Sequence, residues 1–283
     1  MTDNSVLEIE NKAFTDDFLA VLEDQGLSDN TLINYSIVLK RLNLYLVGLH
    51  LKHSLVSLTD MYAYIATLSD YKAQTKNLHL ACLKSFYEYL VSIGTRRDIP
   101  ITKHMRAKVE RKEPDYLDRS QRIRYINYLQ RHSNGDQTIG AKLMIATGMR
   151  ISELMSMDLV KDIEFRDSKA FIRVRRSKGR KERICPIFDP DLTQELKSLI
   201  SMYFPLGSYN LNLYPNAYLY ANQMYYRDTG VKVTPHILRY TFATDRASEG
   251  LSIDIIRRLL GHKYYTTTLM YTVENQQQIY NLI

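Results

Sequence analysis

Along the first hundred positions, apolar residues recur every three or four places, the period of a helix with one buried face. Phe14, Phe18, Val21 and Leu22 keep this spacing, and Gly26 ends the run. Ser28 offers an N-cap to "DNTLINYSIVLKRLNLYL", where Tyr35, Leu39, Leu42 and Leu46 form an apolar stripe. A third helix is predicted over "LTDMYAYIATL", capped by Thr59 or Asp60. A fourth covers "TKNLHLACLKSFYEYLVSIG", where Leu78, Cys82, Phe86 and Leu90 align before Gly94. Four short helices of this kind make a compact bundle. Its polar faces carry Lys40, Arg41, Lys72, Lys76 and Lys84, which read either as solvated surface or as a track for a phosphate backbone.

The pattern then breaks. "RRDIPITKHMRAKVERKEPDYL" is basic, holds two prolines and has no sustained apolar period, so it reads as a linker. Beyond it the periods are mixed. "DRSQRIRYINYLQRH", "QTIGAKLMIATG" and "LTQELKSLISMYF" are helical, whereas "DSKAFIRVRRSKGRKERICPIF" alternates on both sides of "RSKGRK" and predicts a β-hairpin with a cationic tip. The Tyr- and Asn-rich "LGSYNLNLYPNAYLYANQMYY" fits neither period, and three helical segments are expected from Thr234 onward. The expected class is mainly α with a small β-sheet (α+β). The expected division is a helical unit over 1–100, a basic linker over 101–115 and a mixed unit over 116–283.

Composition narrows the picture only a little. In 283 residues, 45% are hydrophobic and 24% charged, which is ordinary for a globular protein. The formal charge of +7 suits a polyanionic partner without requiring one. The two cysteines, Cys82 and Cys185, suggest neither a disulfide framework nor a metal site. The acidic, polar opening "MTDNSVLEIENKAF" is unlike a signal peptide, and no apolar run is long enough for a membrane span, so a cytoplasmic location is expected.

The chemistry concentrates in the second half. In "TPHILRYTFAT", Thr234 is an N-cap and Pro235 suits the first helical position, which puts His236 and Arg239 on one face of the opening turn. Cations sit poorly at the positive end of a helix dipole, so an anion held there would explain them. Taken alone, the stretch is more simply a solvated Arg and a hydrogen-bonded core His. In "ATGMRISELMSMDL", Arg150 stands at a helix entrance with Glu153 three places later, either as a clamp on the guanidinium or as an ordinary helix pair. Lys178 occupies the hairpin tip, His262 follows a glycine turn in "LLGHKYYTTTLMYT", and Tyr271 comes nine residues after it. Two Arg, a Lys, two His and a Tyr, with no acidic pair and no nucleotide loop, suit phosphoryl transfer to a tyrosine. Guanidiniums hold the phosphate oxygens, the Tyr oxygen attacks, and a Lys or His protonates the departing oxygen.

On these motifs the chain resembles the tyrosine recombinases, the phage-integrase and Xer-like family. "ATGMRISELMSMDL", "HILRYTFATDRASEG" and "LLGHKYYTTTLMYT" match that family's arginine, His-x-x-Arg and His…Tyr motifs in order and spacing, and "RSKGRKERICPI" fits its lysine hairpin. "LSDNTLINYSIVLKRLNLYL" is similar to the family's helical core-binding domain, so the resemblance covers almost the whole chain. It implies a two-domain clamp on DNA in which Arg150 and Arg239 grip the scissile phosphate and Lys178 is the general acid. It further implies that His236 assists proton transfer or contacts the phosphate, His262 bonds a non-bridging oxygen, Tyr271 is the nucleophile and Glu153 supports from behind. Of the 22 tyrosines, Tyr271 alone has the family's spacing; Tyr264, Tyr265 and Tyr280 do not. His50, His53, His79, His104 and His132 match no motif and are read as structural or surface residues.

The resemblance also implies double-stranded DNA with inverted-repeat core sites, a homotetramer on two duplexes, a Holliday junction, and neither metal nor other cofactor. The short run before Phe14 leaves no room for the arm-binding domain of lambda-type integrases, which favours resolution of a mobile element or of DNA dimers. The tail after Tyr271 either docks on a neighbour or packs on its own molecule. A type IB topoisomerase, a DNA-binding protein without catalysis, a phage-type integration enzyme and a small-molecule phosphate enzyme remain as alternatives.

Overall fold

The computed structural model describes residues 3–109, 114–167, 169–175, 182–214 and 216–262. The chain forms two compact units, Met1–Arg111 and Lys112–Ile283. It is mostly helical with one small antiparallel sheet, the class expected from the periodicities.

The first unit is built on α1 (Asp3–Asp24), α2 (Asp29–Gly48), α3 (Leu58–Ala66) and α4 (Ala73–Ser92). α1, α2 and α4 each run twenty residues or more, longer than the short helices expected. Ser28 caps α2 by accepting from the Thr31 amide. For α3 the cap is Ser57 rather than Thr59 or Asp60, because the Asp60 carboxylate reaches back to the Ser57 amide and closes a capping box. Leu39, Leu42, Leu46, Cys82, Phe86 and Leu90 are buried in one core with Phe18 and Leu22. Val21 and Leu78 point outward, and His79 takes the inward place expected of Leu78, its Nδ1 within 3.3 Å of the Tyr64 hydroxyl. Burying each of these large side chains contributes about 1.5–3 kcal/mol, well above the tenths that helix propensity supplies per residue.

The basic stretch after α4 is only partly a connector. Arg96 is buried, donating to the carbonyls of His53 at 2.6 Å and Val56 at 2.8 Å, and its guanidinium lies 5.2 Å from the centre of the Tyr87 ring. Met105 joins the same core, and Asn77 exchanges two hydrogen bonds with the backbone of Ala107.

The second unit begins with α5 (Arg119–His132), α6 (Gly135–Thr147), α7 (Ile151–Met155) and α8 (Leu159–Asp162). Then come β1 (Ile163–Arg166), β2 (Lys169–Val174) and β3 (Arg183–Ile187), followed by α9 (Pro190–Tyr203), α10 (Leu219–Thr229), α11 (Pro235–Ser248) and α12 (Ile253–Leu260). The strands run in the order β1-β2-β3, with Ile172 opposite both Ile163 and Cys185. β2 and β3 are the two arms of the expected hairpin, whose tip lies outside the described residues. β1 was not expected, since four residues are too few to show a period. α6 is packed almost all round, with Ala141, Leu143 and Met144 fully buried. The Tyr- and Asn-rich stretch is held by side chains: Tyr209 and Asn212 bond to Asp136, while Asp158 accepts from Ser208 and from the Tyr209 amide. α10 forms at its end.

Candidate active site

The ends of three helices meet around a cluster of guanidiniums. α6 stops at Gly148, whose φ of +64° is left-handed and whose missing side chain makes room: a Cβ there would lie 2.4 Å from the Phe242 ring. The Gly148 carbonyl accepts from Arg239 Nη1 at 2.6 Å. α12 stops at Gly261, also left-handed at +64°. There the Gly261 and His262 amides fold back onto Arg258 and Arg257, which satisfies those two carbonyls and leaves Leu259 and Leu260 open to outside donors. The Leu260 carbonyl accepts from Arg239 Nη2 at 2.6 Å and from Arg150 Nη1 at 3.4 Å, and the Leu259 carbonyl accepts from Arg183 Nε at 2.7 Å. The negative end of a helix is a natural place to gather cations.

Arg150 stands at the N-cap of α7, and Glu153 answers it from the first turn. Glu153 Oε2 accepts from the Arg150 amide at 2.8 Å, and Oε1 from Arg150 Nη1 at 3.1 Å. Burial would raise the pKa of the Glu153 carboxyl, but hydrogen bonds and charge from Arg183 and Arg150 outweigh it and hold the value down to about 2. The carboxylate is thus ionised at any ordinary pH. Arg239 is buried, with both terminal nitrogens donating to backbone carbonyls.

Thr234 caps α11 by accepting from the Ile237 amide, and Pro235 occupies the first helical position, as the sequence motif requires. His236 follows, half-buried, edge-on to the Tyr240 ring at 5.4 Å. Burial first, and then the charges of Arg239 and Arg150, push its pKa below the usual 6.5, so the ring is neutral at neutral pH. His262 is partly exposed directly beyond Gly261. The structure therefore brings Arg150, Glu153, Arg239, His236 and His262 to one end of the second unit. Lys178 and Tyr271, with Tyr264, Tyr265, Tyr280 and the tail, lie outside the described residues. A cleft of about 790 Å³ on the same unit, walled by Arg122, Lys142, Phe188 and Glu195, holds none of the matched residues.

Arg183 belongs to the cluster and was missed in the sequence. Arg183, Cys185 and Ile187 alternate inward along β3, a period of two that marks Arg183 as facing the core. The five basic residues of the first unit do not form one cluster. Arg41 bonds to the Tyr71 hydroxyl and stacks on its ring, next to Lys72 at the start of α4, with Lys76 one turn on. Lys40 instead lines the groove between α1 and α2. Lys84 pairs with Glu88 at 3.5 Å, two turns beyond Lys76 and roughly 12 Å along the helix. Among the other histidines, His53 is buried and bonded to Asn43 at 2.7 Å, and His132 stacks on Tyr128 at the surface.

Residues 116–278 match the phage integrase family, and residues 15–94 match the phage integrase N-terminal SAM-like domain. The chain belongs to the phage integrase family of tyrosine recombinases, enzymes of site-specific DNA recombination. It is 31% identical over 268 residues to the tyrosine recombinase XerA of Pyrococcus furiosus, covering 91% of this chain and 88% of that one. A tyrosine recombinase of Pseudothermotoga lettingae is 28% identical over 269 residues, covering 91% and 92%. The fold is similar to that of the XerH site-specific recombinase bound to a palindromic difH substrate after cleavage, with a TM-score of 0.73, 17% identity, and coverage of 89% of this chain and 78% of that one. It is also similar to a lambda integrase dimer bound to a COC′ core site, with a TM-score of 0.70, 19% identity, and coverage of 92% and 76%. Among the described residues, no helix is long and apolar enough to cross a membrane.

Proposed function

We propose that this chain cuts and rejoins double-stranded DNA at inverted-repeat core sites through a 3′-phosphotyrosyl intermediate. The observation that carries this reading is the convergence of Arg150 and Arg239 on the carbonyl end of α12, immediately before the segment that contains Tyr271. Two guanidiniums held on one carbonyl concentrate positive charge in a fixed place, which would stabilise a phosphate there with little reorganisation at the moment of reaction. The Tyr271 oxygen forms a bond to phosphorus as the bond to the 5′ oxygen breaks. The tyrosine proton passes to a base, for which neutral His236 is suited, and the proton of Lys178 goes to the departing 5′ oxygen. His262 donates to a non-bridging oxygen. The product is a phosphotyrosyl link and a free 5′ hydroxyl, and the same steps reversed reseal the strand, so bond energy is conserved.

Four protomers on two duplexes would exchange strands through a Holliday junction. The biological outcome we infer is resolution of joined DNA, either a mobile-element cointegrate or a DNA dimer. Similarity to Xer recombinases supports this reading. The first unit supplies basic residues for the flanking DNA, with Arg41, Lys72 and Lys76 as the group that sits together.

Covalent capture tests the proposal. The protein is mixed with sheared source DNA and stopped with detergent, and the protein-linked 3′ ends are sequenced. One inverted-repeat site, absent with Tyr271→Phe, is the expected result. Adducts scattered without sequence preference would favour topoisomerase chemistry, and persistent adducts in Tyr271→Phe would refute the nucleophile.

A further inference from the structure

Arg183, which no motif singles out, engages its whole guanidinium. Its side chain is 11% exposed, and all three of its nitrogens are engaged. Nη1 and Nη2 grip Glu153 Oε1 and Oε2 at 3.0 and 2.7 Å, a fork-to-fork pair, while Nε bonds the Leu259 carbonyl at 2.7 Å. Each Glu153 oxygen is therefore shared between one donor from Arg183 and one from Arg150. The guanidinium also lies against Gly261: a Cβ there would come within 3.1 Å of Nη1 and 3.4 Å of Cζ.

From this geometry we propose that Arg183 is a positioning residue, which locks the Glu153 carboxylate and the carboxyl end of α12 together so that Arg150 and His262, just past that end, address the same phosphate. The argument rests on the function proposed above. Glu153 is buried to 2% side-chain exposure, so its carboxylate must be fully engaged. Without Arg183 it would lose half of its donors and pull Arg150 inward, away from an external phosphate. The Leu259 carbonyl would lose its guanidinium donor in the same step and keep the weaker Cys185 thiol at 3.5 Å, so the α12 end would be held more loosely against β3. Lysine cannot substitute, because one ammonium offers neither the planar fork nor the third bond in the opposite direction.

The test uses the full chain with Arg183→Lys, Arg150→Lys and the double variant, on a duplex carrying the cleavage site recovered by covalent capture, at a temperature where all are folded. The expected result for Arg183→Lys is a 10- to 100-fold slower single-turnover adduct at saturating DNA, with half-saturation moving less than about threefold. Because Arg183 acts through Arg150, the double variant is expected to be no slower than Arg150→Lys alone. Losses that multiply, or a wild-type rate in Arg183→Lys, would overturn the proposal. A second readout needs no DNA: amide exchange at Arg150 and His262 is expected to quicken in Arg183→Lys while exchange in α2 and α4 stays unchanged. Unchanged exchange at both sites would overturn the positioning role, whereas absence of any adduct from the wild-type protein would count against the function reading alone.

Discussion

Both units bury guanidiniums, and they do so in opposite ways. In the first unit Arg96 is a single cation served by its own neighbourhood: the carbonyls of His53, Val56 and Asp98, the Asp98 carboxylate and the Tyr87 ring. The nearby His53 stays neutral, its pKa lowered to about 3 by burial and by the Arg96 charge. In the second unit Arg150, Arg183 and Arg239 come from three separate segments and compete for shared acceptors at helix ends. A buried Arg by itself marks only a structural staple. Like charges collected on shared acceptors store an unfavourable field that, on the function proposed above, an incoming phosphate would relieve, and that difference separates the candidate site from the scaffold.

The sharpest way to break this comparison is to remove one guanidinium from each unit. Arg239→Met is expected to slow phosphotyrosyl formation on the order of 100- to 1,000-fold. Arg96→Met should leave the rate per folded molecule unchanged while costing about 3 kcal/mol of stability, because several buried carbonyls lose their donor. Rate assays beside denaturant melts check both, and equal rate losses would erase the distinction. Gly148→Ala should cost roughly 3 kcal/mol or more, since it combines a left-handed backbone with a clash into Phe242.

Two pH effects sharpen the comparison further. For His53 the folded pKa lies below the unfolded value of 6.5, so below 6.5 the unfolded chain binds more protons. Stability should then fall as pH drops through that range, by up to about 1.4 kcal/mol per pH unit, and His53→Gln should flatten the slope in melts taken between neutral and mildly acidic pH. For His236 the effect is smaller. The adduct rate should hold as pH falls to the usual histidine value of 6.5 and decline only below it, and Arg239→Met should move that decline to higher pH by removing a neighbouring charge. A pH–rate profile with an unmoved midpoint in the variant would contradict the electrostatic account.

Much of this was legible in the sequence because it rests on local rules. Thr234 and Pro235 announce the start of α11, and the placement of Arg150 and Glu153 follows from the end of α6 at Gly148. Capping at Ser57 was missed because a serine two residues before Thr59 competes with equally good caps, and only the reach of Asp60 decides. Val21 and Leu78 were misplaced because helical spacing fixes a stripe only to within about one residue in each turn. Arg96 and Arg183 were overlooked for a common reason. Each lies in a cationic run that reads as solvated surface; for Arg96 only a contact from a distant segment, Val56, shows that it is buried, whereas for Arg183 the period of two along β3 carries the signal and Glu153 supplies the partner.

The most direct test of the central claim is to find the atom that carries the DNA. Adducts formed on the captured site are digested with nuclease and protease, and the nucleotide-bearing peptide is sequenced by mass spectrometry. The account expects the phosphoryl group on Tyr271 and its loss, together with all adduct, in Tyr271→Phe. A nucleotide on Tyr264, Tyr265, Tyr280 or any tyrosine of the first unit would contradict it.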